Sequence, residues 1–158
     1  MNQHTRVTFA LNGTQREFHV DSRMLLVELL RDCAGLTGCR IGCDTAQCGA
    51  CTVLVDGKSI KSCNRFAWQV QGRVVTIEGL GDSSAGLHPL QIAFLECSAQ
   101  QCGFCTPGMI MAAVEFLCGL SDSPSEAQIQ EALSGNLCRC TGYRHIMDAI
   151  AVAARKES

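Results

Sequence analysis

The 158-residue sequence is poor in rings and in proline: six Phe, one Tyr and one Trp make up 5% of it, and there are three Pro. So few aromatics leave little to stack on nucleobases. Thirteen Lys and Arg against 15 Asp and Glu give a net charge of −2, so there is no basic field for a phosphate backbone either. With 47% hydrophobic and 18% charged residues, the composition excludes a disordered chain and a membrane span, and describes a soluble globular protein of one domain or two small ones. Met1 to Ala10 has no cationic start followed by an apolar run, so nothing there marks export and a cytoplasmic setting is expected. No G-x-S-x-G, H-E-x-x-H or phosphate loop occurs, and Gly79-Leu80-Gly81 continues as Asp82-Ser83-Ser84 without the third glycine of a dinucleotide fingerprint.

What the sequence has in excess is cysteine, twelve in all. In a short exported chain such a content reads as a disulfide framework. In a reducing compartment, clustered thiols more often bind metal.

The hydrophobic pattern divides the chain. Val7 to Leu11 alternates, runs into Asn12-Gly13 and returns over Glu17 to Val20, the signature of a hairpin. Asp21 or Ser22 is a candidate cap for a helix with Leu25, Leu26, Leu29, Leu30 and Cys33 on one face. A glycine-rich loop from Gly35 to Gly49 follows, then strands over 52–55, 58–61 around Asp56-Gly57, and 74–77. Residues 79–86 read as a linker, after which the period changes to that of helices. Leu90, Phe94 and Cys97 mark one helix; Thr106-Pro107 opens a second, ending near Leu117. Ser123 to Glu126 forms a capping box for a third with Ile129 and Leu133, and Thr141 caps a fourth with Ile146, Ile150 and Ala154 in a stripe. The periodicity alone supports a small α+β half over 1–78, whose two hairpins, single helix and long loop suggest a ferredoxin-like β-grasp, followed by a four-helix bundle over 87–158. A lobe of either size draws only ~3–5 kcal/mol from its core, so internal staples such as bound metal are expected.

Two cysteine sets stand out. Cys43, Cys48 and Cys51, followed by the distant Cys63, have the C-x4-C-x2-C…C spacing of a plant-type [2Fe-2S] site. Gly42 and Gly49, with the small Ala46 and Ala50, let the loop backbone come close to a flat cluster. Cys102 and Cys105, with Cys138 and Cys140, each precede a predicted helix, where the positive dipole end favours thiolate. Taken alone, this second set could hold zinc as well as an iron–sulfur cluster. A thioredoxin-type pair is disfavoured because no βαβ unit surrounds it, and a Rieske centre because no histidine is spaced to join the cysteines.

Three runs carry a family resemblance: 42–53 (GCDTAQCGACTV), 101–108 (QCGFCTPG) and 135–144 (GNLCRCTGYR). In these, and in their order along nearly the whole chain, the sequence resembles the small iron–sulfur subunit of the molybdenum hydroxylases, the family of xanthine dehydrogenase, aldehyde oxidoreductase and molybdenum-type carbon monoxide dehydrogenase. The resemblance implies a plant-type ferredoxin-like domain followed by a helical one, with a [2Fe-2S] cluster on Cys43, Cys48, Cys51 and Cys63 and a second on Cys102, Cys105, Cys138 and Cys140. It implies that the second lies nearer a molybdopterin, of the cytosine dinucleotide form, with Gln101 and Cys140 touching the pterin, and that the first lies toward FAD. Those cofactors would sit on a large and a medium partner subunit in a dimer of heterotrimers, and this chain would carry no substrate pocket. Electrons from hydroxylation of an N-heteroaromatic or aldehyde substrate with water-derived oxygen would pass singly through it. A carbon monoxide dehydrogenase-type complex and a free-standing ferredoxin-like carrier are the alternatives.

Of the remaining cysteines, Cys33, Cys97 and Cys118 read as small core residues, while Cys39 stands where many relatives have Thr. Arg139 and Arg144 flank the second set and could meet an anionic cofactor, a partner carboxylate or only water; His145 reads as a capping or surface residue.

Overall fold

The computed structural model describes residues 4–81 and 86–156. Strand β1 (His4–Leu11) and β2 (Thr14–Asp21) form the expected hairpin, with Asn12 and Gly13 both at positive φ in its turn. β3 (Thr52–Val55) and β4 (Lys58–Lys61) form another around Asp56-Gly57. β5 (Arg73–Val75) lies between the hairpins, parallel to β1 and antiparallel to β3, giving a mixed sheet in the order β2-β1-β5-β3-β4. Phe9, Leu11, Val20, Val53 and Val74 bury one side of this sheet against Leu26, Leu29 and Leu30.

The helix that supplies those leucines departs from the sequence expectation. α1 is a short turn, Leu26–Glu28, widening into a looser one over 29–33. Neither Asp21 nor Ser22 caps it, because the Asp21 carboxylate is taken by the backbone and guanidinium of Arg23; Leu25 N–H instead donates to Glu28 Oε2 at 2.8 Å. The widening also turns Cys33 outward, so it is exposed and not a core residue.

Helices α2 (Pro89–Glu96), α3 (Thr106–Cys118), α4 (Glu126–Ala132) and α5 (Arg144–Lys156) complete an α+β chain. Leu90, Phe94, Met109, Met111, Ile129, Ile146 and Ile150 fill their common core. Leu54 of β3 joins that core, so sheet and helices are packed together. The capping box of α4 is Ser125 with Gln128, two residues later than the Ser123–Glu126 reading, since Gln128 N–H reaches Ser125 Oγ at 3.3 Å. Cys97 is half-buried, but Cys118 ends α3 exposed, outside the core expected for it. Of the expected linker, residues 82–85 lie outside the described residues; before them, 77–79 form a tight turn against Asn12.

Candidate metal centres

The first cysteine set lies on the loop entering β3. Arg31 Nη1 donates to the carbonyls of Thr37 and Cys39, at 3.1 and 2.8 Å, and Arg40 N–H donates to Ala50 O at 3.2 Å, closing the loop on itself. Inside it Ala46 adopts a positive φ of 57°, and the backbone N–H groups of Cys48, Thr45 and Gln47 turn toward the Cys43 sulfur. Cys48 N–H lies 3.4 Å from that sulfur. These donors hold the Cys43 thiol down to about 6, so the loop favours a thiolate before anything binds it.

Cys63 follows β4 in a single turn, 62–64. Burial, and then the Cys51 sulfur beside it, push its thiol up to about 12. Cys43 in turn interacts with the Cys48 thiol, so the set divides into Cys43 with Cys48 and Cys51 with Cys63. The Cys51 carbonyl is held by Ser62, whose N–H and Oγ–H donate at 3.3 and 2.8 Å. Buried Cys39 lies 3.2 Å from Ser62 Oγ and donates to the same carbonyl at 3.5 Å; its own thiol is raised to about 11 by burial, leaving it a neutral donor.

The second set divides in the same way. Cys140 Sγ lies 3.5 Å from Cys102 Sγ. The Phe104 N–H and then the Cys140 thiol lower Cys102, while the shared proton raises Cys140. Cys105 is pushed up to about 12 by burial and by Cys138. Burial opposes ionisation of Cys138, but the Thr141 hydroxyl at 3.1 Å and N–H at 3.5 Å outweigh it and the net shift is downward. The lowering expected from the α3 dipole does not appear at Cys105, its N-cap, because burial dominates there. Tyr143 clamps this loop, accepting from Cys138 N–H at 2.9 Å and donating to Asn136 O at 3.2 Å.

Each set is thus two thiol pairs, and in the second set each pair holds a lowered and a raised member, with protons that a metal would displace. Two pairs suit two metal ions with two thiolates apiece, the donor set of a [2Fe-2S] cluster. Among the described residues no three His, Cys, Asp or Glu side chains converge on one point as for a single ion. Beside Cys105, Thr106 Oγ1 is buried with no hydrogen-bond partner, an orphan that a group with acceptors at this site would satisfy. A pocket of about 200 Å³ opens between the sets, lined by Cys48 of the first and all four thiols of the second. The residues therefore fit the cluster that the spacing predicts for the first set and the one that the resemblance implies for the second.

The two loops are bonded to each other. Leu137 N–H donates to Cys48 O and Asn136 Nδ2 to Gly49 O, at 2.9 and 3.0 Å. Close approach requires glycine at both contacts: a Cβ on Gly49 would come within 2.6 Å of Asn136, and one on Gly108 in α3 within 2.2 Å of Gly49 O. Sequence spacing marks the eight thiols but not their pairing, nor Ser62; Asn136 and Gly108 lie within the runs that carry the resemblance, but nothing local announces that both meet Gly49. Cys102, Cys140, Gln101 and Arg139 are exposed beside the apolar Phe104 and Leu137, whereas Arg144 is paired with Glu126 and Asp148 at 3.1 and 3.3 Å. His145 is exposed.

Known proteins place this architecture. A family described as a 2Fe-2S iron-sulfur cluster binding domain matches residues 9–75, and a [2Fe-2S] binding domain matches residues 76–151. The nicotine 6-hydroxylase small subunit of Paenarthrobacter nicotinovorans is 48% identical over 141 residues, covering 89% of this chain and 84% of that one. Xanthine dehydrogenase 1 of Arabidopsis thaliana is 44% identical over 99% of this chain, which spans only 12% of that protein. In the crystal structure of quinoline 2-oxidoreductase from Pseudomonas putida 86, a chain 45% identical superposes with a TM-score of 0.91 over 98% of both chains. The chain belongs to the small iron–sulfur, electron-transfer subunits of the xanthine dehydrogenase and aldehyde oxidoreductase type of molybdenum hydroxylases.

Proposed function

We propose that this chain conducts electrons singly from a molybdopterin on a large partner subunit to FAD on a medium one. Bound [2Fe-2S] clusters would supply the one-electron storage. Cys43, Cys48, Cys51 and Cys63 would hold the first, Cys102, Cys105, Cys138 and Cys140 the second. The observation that carries this reading is the sorting of both thiol sets into pairs on loops that are hydrogen-bonded to each other.

This chain's own work is positional. Its loop N–H groups turn toward sulfur and stabilise thiolate, its buried Ser62 and half-buried Tyr143 fix the candidate ligand loops, and its glycines bring the loops together. Exposed Gln101 and Cys140 would face the pterin, with Phe104 and Leu137 covered by the large subunit; the Cys43 side would face FAD. Residues 1–78 and 87–158 would be the two cluster-bearing domains, the second a four-helix bundle. The assembly would be a dimer of heterotrimers in the cytoplasm, and among the described residues no helix is long and apolar enough to cross a membrane. The names of nicotine 6-hydroxylase and quinoline 2-oxidoreductase favour an N-heteroaromatic substrate over carbon monoxide, with hydroxylation on the partner.

The test is iron, zinc and acid-labile sulfide per chain in the complex purified from its source, followed by Cys102→Ser. About four iron and four sulfide without zinc are expected. Cys102→Ser should remove one cluster signal and stop reduction of FAD by substrate while leaving the other signal. About two iron, two sulfide and one zinc would make the helical half structural and end the proposed route.

A further inference from the structure

Arg40 touches both cysteine loops. Its backbone N–H donates to Ala50 O, next to Cys51, and its guanidinium donates to Gly103 O, between Cys102 and Cys105. The guanidinium carbon lies 5.4 Å from the centre of the Phe104 ring, in the range of a cation–π contact. That ring is seated against the first loop: a Cβ on Gly42 would stand 3.2 Å from Phe104 Cε1 and 3.1 Å from Cys48 Sγ. Arg40 is half-buried, and among the described residues no carboxylate lies within ion-pair distance of it. An uncompensated cation is therefore fixed at the junction, with its charged end on the second loop.

We propose that Arg40 is a positioning residue that sets the potential of the cluster on Cys102, Cys105, Cys138 and Cys140, an inference that rests on the ligand reading above. A four-thiolate [2Fe-2S] centre is already anionic and gains one negative charge when it accepts an electron. A fixed cation beside it stabilises the reduced form. Exposed Arg139 contributes less, because solvent and salt screen it. The charge of Arg40 falls more weakly on the first cluster, because its guanidinium hydrogen-bonds to the second loop and its backbone N–H to the first. It therefore biases where an electron rests within the chain.

The experiment is an EPR-monitored redox titration of both clusters in the intact complex, comparing wild type with Arg40→Gln, Arg40→Lys and Phe104→Leu. At the poise where the wild-type second cluster is half reduced, Arg40→Gln is expected to lower its reduced-to-oxidised ratio about tenfold, equivalent to ~59 mV. The first cluster should move by less than about threefold, and Arg40→Lys, which keeps the charge, should restore the second to within about twofold. Phe104→Leu leaves the cation but frees it from the ring, and about a threefold drop is expected; this variant decides if Arg40→Gln does not retain its iron. Unmoved potentials in Phe104→Leu and in an iron-loaded Arg40→Gln would overturn the inference alone. A wild-type complex with a single cluster signal would overturn the ligand reading and the inference with it.

Discussion

The backbone N–H of Leu137 donates to the carbonyl of Cys48 at 2.9 Å. Cys48 belongs to one thiol set and Leu137 directly precedes Cys138 of the other, so a single hydrogen bond joins the main chains of the two candidate centres. Asn136 reinforces it from a buried position, its amide donating to Gly49 O at 3.0 Å and lying 3.4 Å from Thr52 Oγ1.

Asn136→Ala should destabilise the iron-loaded chain by about 1 kcal/mol, because Thr52 still donates twice to Gly49 O. Asn136→Asp should cost more, about 2–3 kcal/mol, since it sets a buried carboxylate against that carbonyl. Urea unfolding followed by the visible cluster absorbance reads both, and equal midpoints for the two variants would refute the bonding assigned to this amide.

The glycine within α3 and the one that caps its end should answer differently to the same change. Gly108→Ala meets Gly49 O at 2.2 Å and should cost about 1–3 kcal/mol despite the better helix propensity of alanine. Gly119→Ala meets nothing nearer than 3.7 Å and should be neutral or gain about 0.5 kcal/mol. Thermal unfolding of the pair separates close approach from chain entropy.

Removing the hydroxyl of buried Ser62 takes one donor from the Cys51 carbonyl and one of two partners from the Cys39 thiol, which keeps that carbonyl at 3.5 Å. Ser62→Ala should lower stability by about 1–2 kcal/mol and speed iron release to a chelator. Cys39→Ser keeps a donor and should release iron at the wild-type rate, whereas Cys39→Ala should be faster.

In the iron-free chain Cys43 should be alkylated well before Cys63 and Cys105, because its thiol is held down to about 6 where theirs are pushed up to about 12. Mass mapping after iodoacetamide at neutral pH reads the order. A thiol lowered from 9.0 to about 6 by folding contributes stability that is complete above 9 and is lost as pH falls through about 6. The iron-free chain should therefore unfold more readily at pH 5 than at pH 8, and Cys43→Ser should reduce that difference.

Local chemistry made much of this molecule readable in advance. Asn12-Gly13 and Asp56-Gly57 name their turns because few other residues tolerate positive φ there, and the stripe Ile146, Ile150 and Ala154 is buried as its spacing requires. The close cysteine spacings of the two candidate sets stand out for the same reason, since each run lies on one loop. Errors arose where a remote or competing partner intervened. Arg23 takes the carboxylate that would have capped α1, Gln128 draws the cap of α4 to Ser125, and Cys33 leaves the core when its helix widens. The bonds from Asn136 to Gly49 and from Arg40 to Gly103 join residues far apart in sequence, and no period along one chain can announce them.

The contact of Gly108 with the Gly49 carbonyl also bears on modularity. The two halves look interchangeable, each with its own thiols and its own family match. Yet a helix backbone rests directly on the ligand loop of the other half, with no side chain between to absorb a misfit. A chimera joining the first half of one relative to the second half of another must therefore carry a glycine on both sides of this seam and the same loop length up to it. Where either is missing, the two loops could not close on each other, and the conductor would be cut at its middle.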